Sequence, residues 1–95
     1  MIIGLRGKYG FKGLTLNDAF ARIDVVSSSD ENATISLNIY VSEESFKSGG
    51  EYLEQIYPLN FKKEFGDAVG DDRTQGYRYV GKLDQFSSWS EVSAD

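Results

Sequence analysis

The sequence predicts an α+β fold in which a small antiparallel β-sheet of three to five strands carries one C-terminal α-helix packed on it. Two periodicities predict this class. Residues alternate between two faces over 19–26 and again over 33–41, as in strands, and apolar residues recur at helical spacing between 79 and 86. At 95 residues the chain can bury a single hydrophobic core. We therefore interpret residues 1–95 as a single domain.

The first segment, MIIGLRGKYGFKG, holds three cations and no acid, so it carries +3 while the remaining residues carry -8. Glycine-rich strands are weakly specified in register and can be exchanged between neighbours. Residues 1–13 are therefore predicted to form an N-terminal arm or edge strand, either contacting another subunit or completing the sheet of the same chain. The predicted partner-binding residues are Ile2, Ile3, Leu5, Arg6, Lys8, Tyr9, Phe11 and Lys12.

Two long alternating runs follow, LTLNDAFARIDVV and ATISLNIYVS. Their period of two predicts strands, and the six-residue polar loop between them predicts an antiparallel hairpin. One face should be buried and the other largely solvated. On the first run the inward residues should be Ala19, Ala21, Ile23 and Val25. On the second, Ile35, Leu37 and Ile39 should be buried, and Thr34, Ser36 and Asn38 more exposed.

The segment SEESFKSGG is predicted to be a loop or a single helical turn, capped by Ser42 and stopped by Gly49 and Gly50. A third strand, YLEQIYPLNF, should place Leu53, Tyr57, Leu59 and Phe61 on one side. Because Pro58 cannot donate a ladder hydrogen bond, this strand should lie at an edge or contain a bulge.

The last predicted element is a helix over residues 73–88. Its apolar stripe should turn Tyr79, Val80, Leu83 and Phe86 toward the sheet, and Arg78, Lys82 and Gln85 toward solvent. Gly76 should allow the helix to approach the sheet closely. Trp89 and Val92 extend the apolar character into the tail, which could then dock.

The same segment resembles a phosphate-binding loop, because four residues separate Gly76 from Gly81 and Lys82. Leu83 stands where that loop needs a hydroxyl to hold Mg²⁺, and no buried strand precedes the motif. We therefore do not predict a nucleotide site here.

The acidic connection before the helix contains Asp67, Asp71 and Asp72. Clustered carboxylates on a flexible loop suit a hard cation, but their spacing is not that of a calcium loop. Asp71 or Asp72 is explained equally well as a helix cap or first-turn anion. No metal ligand or cofactor-binding residue is predicted, and cation binding by residues 67–72 stays an open question.

Composition argues against several functional classes. The chain has no Cys and no His, so it lacks a thiol nucleophile, the commonest general base and the commonest transition-metal ligand. No catalytic residue is predicted, and we expect the protein not to be an enzyme. The net charge of -5 argues against nucleic-acid binding. The short apolar start is too brief for a signal peptide or membrane span, which predicts synthesis in the cytoplasm and no membrane partner.

The order of segments resembles a family of small proteins encoded among the tail and other virion genes of tailed bacteriophages. The matching stretches are Lys12-Gly13-Leu14, Asn17-Asp18-Ala19-Phe20, Arg22-Ile23, Val41-Ser42-Glu43-Glu44, and Tyr77, Tyr79, Lys82, Leu83 and Phe86. The sequence departs from the family pattern at Asp84, where the family has proline, and in its longer N-terminal extension. The resemblance implies phage origin and a structural role, and it supplies no active site.

Together these observations predict a non-enzymatic structural or accessory protein of the phage virion, made in the host cytoplasm and located in the virion. It would be a tail, baseplate or capsid-decoration component that forms a homo-oligomer or joins a larger assembly through surface complementarity and strand or arm exchange. One alternative is an acidic phage-encoded inhibitor of a host protein, of the anti-defence type. Others are a small-ligand binding module and a carboxylate-based enzyme.

Overall fold

In the computed structural model, residues 2–65 and 70–93 are described, and within them the chain forms one five-stranded antiparallel sheet. The elements in chain order are β1 (Ile2–Phe11), β2 (Leu14–Ser28), β3 (Asn32–Tyr40), α1 (Glu43–Lys47), β4 (Glu54–Lys62), α2 (Asp72–Gly81), a 3₁₀ turn (Asp84–Phe86) and β5 (Ser90–Ser93). The strand order is β4-β3-β2-β1-β5. The α+β class and the antiparallel sheet are confirmed.

The predicted C-terminal helix over residues 73–88 is wrong in extent, and the helix is not the last element. Helix α2 ends at Gly81, Leu83 is extended, and the 3₁₀ turn and β5 follow. The stripe Val80, Leu83 and Phe86 did not reveal this break, because residues three apart lie on one side of an α-helix and of a 3₁₀ turn alike. The chain then returns to the sheet, where β5 pairs with β1 and Trp89 becomes buried.

Strand β1 is not an arm. It pairs with β2 along most of its length, and from Ile2 to Arg6 it also pairs with β5. Lys12 and Gly13 have positive φ values of 50° and 82° and form a two-residue turn between Phe11 and Leu14. Such turns match the twist of a hairpin, which explains why the segment folds back onto its own chain. Only the part of β1 beyond Arg6 remains at an edge.

Helix α2 packs on one face of the sheet and closes the core. Val80 and Tyr77 are buried, and a Cβ added at Gly76 would lie 2.9 Å from Cδ1 of Ile23, so the predicted close approach is confirmed. Exposure of Arg78, Lys82 and Gln85 is also as predicted. The buried core comprises Leu5, Ala19, Ala21, Ile23, Ala33, Ile35, Leu37, Ile39, Phe61, Tyr77, Val80, Phe86 and Trp89.

The hydroxyl of Tyr77 joins α2 to the point where β1 and β2 separate. The last pair of that ladder is Leu5 with Ala21. Beyond it the Tyr77 hydroxyl accepts a hydrogen bond from the Ile23 amide at 2.9 Å and donates one to the Ile3 carbonyl at 3.0 Å. Burial raises the pKa of Tyr77. A helix side chain therefore satisfies backbone groups of two strands that no longer pair with each other.

Two bulges change the side-chain faces that simple alternation predicts. In β2 the register shifts between Ile23 and Val25, and Val25 is 56% exposed. In β4 it shifts between the partners of Ile35 and Leu37, and Tyr57 is 63% exposed. The predicted inward position of Val25 and the predicted placement of Tyr57 on the same side as Leu59 and Phe61 are therefore wrong, because each bulge moves the following side chains to the other face. The prediction that Pro58 marks an edge or a bulge is confirmed, since β4 is an edge strand and contains a bulge at this position.

The prediction of a largely solvated second face is also wrong. Ile35, Leu37 and Ile39 are buried as expected, but Ser36 and Asn38 are only 3% and 4% exposed. The reason is that α1 and a network of polar side chains cover this face, so the sheet is enclosed on both sides along the middle of β3. The SEESFKSGG prediction is confirmed, with Ser42 capping α1 and accepting a hydrogen bond from the Ser45 amide.

Candidate functional site

The candidate site is a groove between the outer strand β4 and helix α2. Because β4 is the last strand of the sheet, its backbone has no ladder partner on one side among the described residues. Helix α2 packs over β1, β2 and β3, and a stack of Phe61 on Tyr79, with ring centroids 5.6 Å apart, joins the helix to β4. This stack forms the floor of a cavity of about 320 Å³, which we call the edge groove.

Three consecutive residues of β4, Asn60, Phe61 and Lys62, line one wall of the edge groove. Successive side chains of a strand point to opposite faces of the sheet, so a cavity that meets three in a row lies along the outer backbone of the strand. The opposite wall is one flank of α2, since its lining residues are spaced i, i+3, i+4 and i+7. These are Gln75, Arg78, Tyr79 and Lys82.

The charge of the edge groove is positive although the protein is acidic. Among the described residues that line it, Lys62, Arg78 and Lys82 face one carboxylate, Glu64. Gln75 holds the end of the groove in place, because its side-chain oxygen accepts from the Glu64 amide at 2.8 Å and its side-chain nitrogen donates to the Gly70 carbonyl at 3.2 Å. The groove thus combines an apolar floor, an unpaired strand edge and cations on both walls.

Exposed aromatic side chains cluster around the same strand. Tyr57 lies in β4, and Tyr52 and Phe65 lie within three residues of its ends. Their exposed fractions are 46% for Tyr52, 63% for Tyr57 and 69% for Phe65. Aromatic residues are enriched at the centres of protein interfaces, where they bury large areas at low entropic cost. Their position marks the β4 side of the molecule as a surface that can contact another protein.

The polar network on the second face is chemically saturated. The Asp24 carboxylate accepts hydrogen bonds from Arg22 Nε at 3.0 Å, from the Tyr40 hydroxyl at 2.8 Å and from the side-chain amide of Asn38. The Arg22 guanidinium also lies 4.6 Å from the Phe46 ring centre. Burial and the hydrogen bond to Asp24 raise the pKa of Tyr40 to about 12. Every buried side-chain nitrogen and oxygen in the described residues has a hydrogen-bond partner, so the polar atoms of this network are satisfied within the chain.

The apolar members of the predicted partner-binding set are mostly used within the chain. Leu5 is 2% exposed and belongs to the core. Ile2 and Ile3 are half-buried between the neighbouring strands. Tyr9 is half-buried and donates a hydrogen bond to the Glu54 carboxylate, and Phe11 is half-buried at the turn. Leu5 is thus unavailable to a partner.

The cations of that set remain at the surface. Arg6, Lys8 and Lys12 are exposed, and the Lys12 ammonium lies 5.4 Å from the centre of the Phe11 ring. The structure brings Lys8, Phe11 and Lys12 to the part of β1 that β5 does not cover, whereas Arg6 pairs opposite β5. A partner-binding role for these residues stays a prediction and is confined to that part of the strand.

Sequence reasoning missed the edge groove because its walls come from segments 13 to 22 residues apart whose pairing is not written in any local pattern. Two local signals pointed toward it. Pro58 indicated that the third strand is an edge strand, and the stripe on α2 indicated which helix flank remains outside the core. The dipeptide Lys12-Gly13 is a further local signal, since it forms the turn of the hairpin between β1 and β2.

The remaining motifs have structural roles. Asp71 caps α2, and a hydrogen bond from the Thr74 amide lowers the pKa of its carboxyl. Asp67 lies outside the described residues. Gly76 and Gly81 both belong to α2, so the residues that resemble a phosphate-binding loop form a helix. The described part of the chain contains no group of three or more potential metal-binding side chains.

Comparisons with protein-family models, with curated proteins and with solved structures find no match to this chain. Neither helix in the described segments is long and apolar enough to cross a membrane.

Proposed function

We propose that this protein is a non-enzymatic assembly component that binds an extended segment of a partner protein along the outer edge of β4. The observation that carries this proposal is the edge groove, in which the last strand of the sheet contributes Asn60, Phe61 and Lys62 to one wall. Backbone groups alternate in direction along a strand, and Phe61 pairs with Ala33, so Asn60 and Lys62 present their backbone groups to the outer side. An added strand would gain main-chain hydrogen bonds from β4, and α2 would hold it from the other side. The floor formed by Phe61 and Tyr79 would receive its side chains.

The bulge in β4 limits where the partner strand can pair. Pro58 has no N–H group, and the register is interrupted between Ile56 and Leu59. Pairing would therefore be confined to Leu59–Lys62, with Tyr57 before it and Phe65 after it. A short pairing segment bounded by side chains favours capture of one specific strand over open-ended sheet growth, which natural edge strands avoid by such interruptions.

For the biological setting we propose, on the resemblance given above, a structural or accessory part of a phage virion such as a tail, baseplate or capsid-decoration component. The partners would then be other virion subunits or further copies of this chain. The alternative of a host-directed inhibitor uses the same kind of surface against a different protein. Mass spectrometry of purified virions separates the two, because the structural component is found in the particle and an inhibitor is found only in infected cells.

A small-ligand binding module is a second candidate, and the volume of the edge groove favours it. A cavity of about 320 Å³ lies at the lower end of the range for small-molecule sites. The groove is open along the strand, however, and a compact ligand would leave the backbone edge of β4 unused. Strand addition uses every wall of the site.

The test is binding of a synthetic nine-residue peptide of alternating threonine and valine, followed by two-dimensional NMR of the labelled protein. We expect shift changes at Leu59–Lys62 and along the outer flank of α2. Tyr57→Ser and Phe65→Ser should each weaken binding by about fivefold, the effect of roughly 1 kcal/mol. Leu14→Ser is the matched control, since Leu14 is 64% exposed and lies at the turn between β1 and β2, away from β4. Equal weakening by the control, or shifts confined to another surface, would refute strand addition at β4.

A further inference from the structure

We infer that the segment bound in the edge groove is acidic, with carboxylate side chains at alternating positions. This inference rests on the proposed strand addition and adds the chemistry of the partner. The protein carries a net charge of -5, yet the groove collects Lys62, Arg78 and Lys82 around one acid, Glu64. A local charge opposite to that of the whole molecule selects for a partner of complementary sign.

The lysines of the groove differ from other cations of the structure in what they contact. Arg22, Lys47 and Lys63 form ion pairs with Asp24, Glu43 and Asp72. Within residues 2–65 and 70–93, neither Lys62 nor Lys82 forms an ion pair or a side-chain hydrogen bond. Both side chains are exposed and can therefore contact a bound carboxylate without first breaking an internal contact.

The placement of the cations sets the spacing of the acids. Lys62 lies on the β4 wall, whereas Arg78 and Lys82 lie one helical turn apart on the α2 wall. One helical turn rises about 5.4 Å, and side chains two apart on a strand are separated by about 6.6 Å. In a bound strand that runs along the axis of α2, carboxylates at positions i and i+2 would thus lie beside Arg78 and Lys82.

Other anions fit the groove less well. A nucleic acid offers phosphates but has no backbone that can continue the β4 ladder, and the overall charge of the protein repels it at longer range. Inorganic phosphate would meet the cations but leave the apolar floor and the strand edge unused. An acidic strand uses the cations, the floor and the edge together.

The experiment compares three nine-residue peptides in which threonine alternates with glutamate, glutamine or lysine. Binding to the intact protein is measured by fluorescence anisotropy at low and at high salt. The glutamate peptide should bind most tightly and the lysine peptide most weakly. Raised salt should reduce the preference for glutamate, because exposed charges are screened over about 10 Å at 0.1 M.

Lys62→Gln and Lys82→Gln should each weaken binding of the glutamate peptide about two- to fivefold, as loss of an exposed ion pair does, and weaken binding of the glutamine peptide by less. Lys47→Gln is the matched control, because Lys47 is an exposed lysine paired with Glu43 on α1, away from the groove. Thermal unfolding of each variant confirms that the fold is retained.

The outcomes separate this inference from the proposed function. Equal binding of the glutamate and glutamine peptides would overturn the acidic preference and leave strand addition standing. Failure of all three peptides and of the threonine-valine peptide would overturn both. Displacement of the glutamate peptide by a nine-nucleotide oligothymidylate or by inorganic phosphate, at concentrations where sodium chloride has no effect, would assign the cations to phosphate recognition and refute the acidic-segment inference.

Discussion

At the scale of single residues, two tyrosine hydroxyls form hydrogen bonds on opposite faces of the sheet. Tyr40 donates to the Asp24 carboxylate, on the face that α1 covers. Tyr77 contacts backbone groups of Ile3 and Ile23, on the face that α2 covers. Both environments disfavour the phenolate, because each removes the hydroxyl from water and Asp24 adds a negative charge beside Tyr40. The two faces of the sheet therefore depend on neutral tyrosine.

This chemistry predicts loss of stability at alkaline pH. In the unfolded chain tyrosine releases its proton near the ordinary pKa of 10.0, whereas folding raises the pKa of Tyr40 to about 12. Above pH 10 the unfolded state thus binds fewer protons, and the free energy of unfolding falls as pH rises, by up to about 1.4 kcal/mol per pH unit for each such tyrosine. Urea unfolding at several pH values between 9 and 12 measures this fall in the free energy of unfolding.

Variants assign the effect to particular hydroxyls. Tyr40→Phe should be less stable at pH 8, because it leaves Asp24 without one donor, and its stability should fall less steeply above pH 10. Tyr57→Phe is the control, since Tyr57 is 63% exposed and removing its hydroxyl leaves the hydrogen bonds of Tyr40 and Tyr77 in place. An identical slope in Tyr40→Phe and the unmodified protein would contradict the assignment to Tyr40.

At the scale of elements, the contact between β1 and the returning chain depends on glycine. A Cβ added at Gly7 would lie 2.5 Å from Cγ of Trp89, whereas one added at Gly10 meets nothing within 4 Å. Trp89 is buried against β1 and contacts Phe86 edge to face at 4.9 Å. The missing side chain at Gly7 therefore lets the indole lie directly on the strand.

Gly7→Ala should destabilise the protein by about 1 to 3 kcal/mol, the usual cost of overpacking. Gly10→Ala, in the same strand, should change the free energy of unfolding by no more than about 0.5 kcal/mol. Urea unfolding followed by the fluorescence of the single tryptophan measures both. If the two variants are equally stable, Trp89 does not pack on Gly7 as described.

The elements also show which features local sequence could predict. Strand β3 and its hairpin with β2 were predictable, because Ile35, Leu37 and Ile39 alternate without interruption. Pro58 indicated an edge or a bulge in β4, but the bulge at Asp24 had no local signal, since one inserted residue leaves the composition unchanged and reverses the faces that follow. Burial of Ser36 and Asn38 depends on partners such as Gln55, 17 to 19 residues away. The edge groove likewise depends on pairing between distant segments.

At the scale of the whole molecule, β1 is part of the domain it precedes. It lies between β2 and β5 from Ile2 to Arg6, and it supplies Leu5 to the core. The Ile3 carbonyl also accepts hydrogen bonds from Arg22 and Tyr77. Removing β1 would expose core side chains and leave β5 without a neighbour, so this segment cannot act only as an appendage for partners.

Deletion of residues 2–11 should therefore abolish cooperative folding, which circular dichroism and thermal unfolding will show. The double variant Lys8→Gln and Lys12→Gln is the matched control, because it removes two exposed cations, one in β1 and one in the turn after it, and should keep the fold. A truncated chain that still unfolds in one cooperative transition would mean that β1 is dispensable to the core and free to bind elsewhere.

The link that Tyr77 makes between β1 and β2 also affects the rate of amide hydrogen exchange. The Ile23 amide hydrogen is held by a hydroxyl on α2 and not by the neighbouring strand. The rate of its exchange with solvent deuterium therefore depends on how often α2 undocks from the sheet. The exchange rate of amides inside the strand ladders depends instead on how often the strands separate. The exchange rate of this one amide hydrogen thus reports how often the helix undocks, separately from how often the sheet opens.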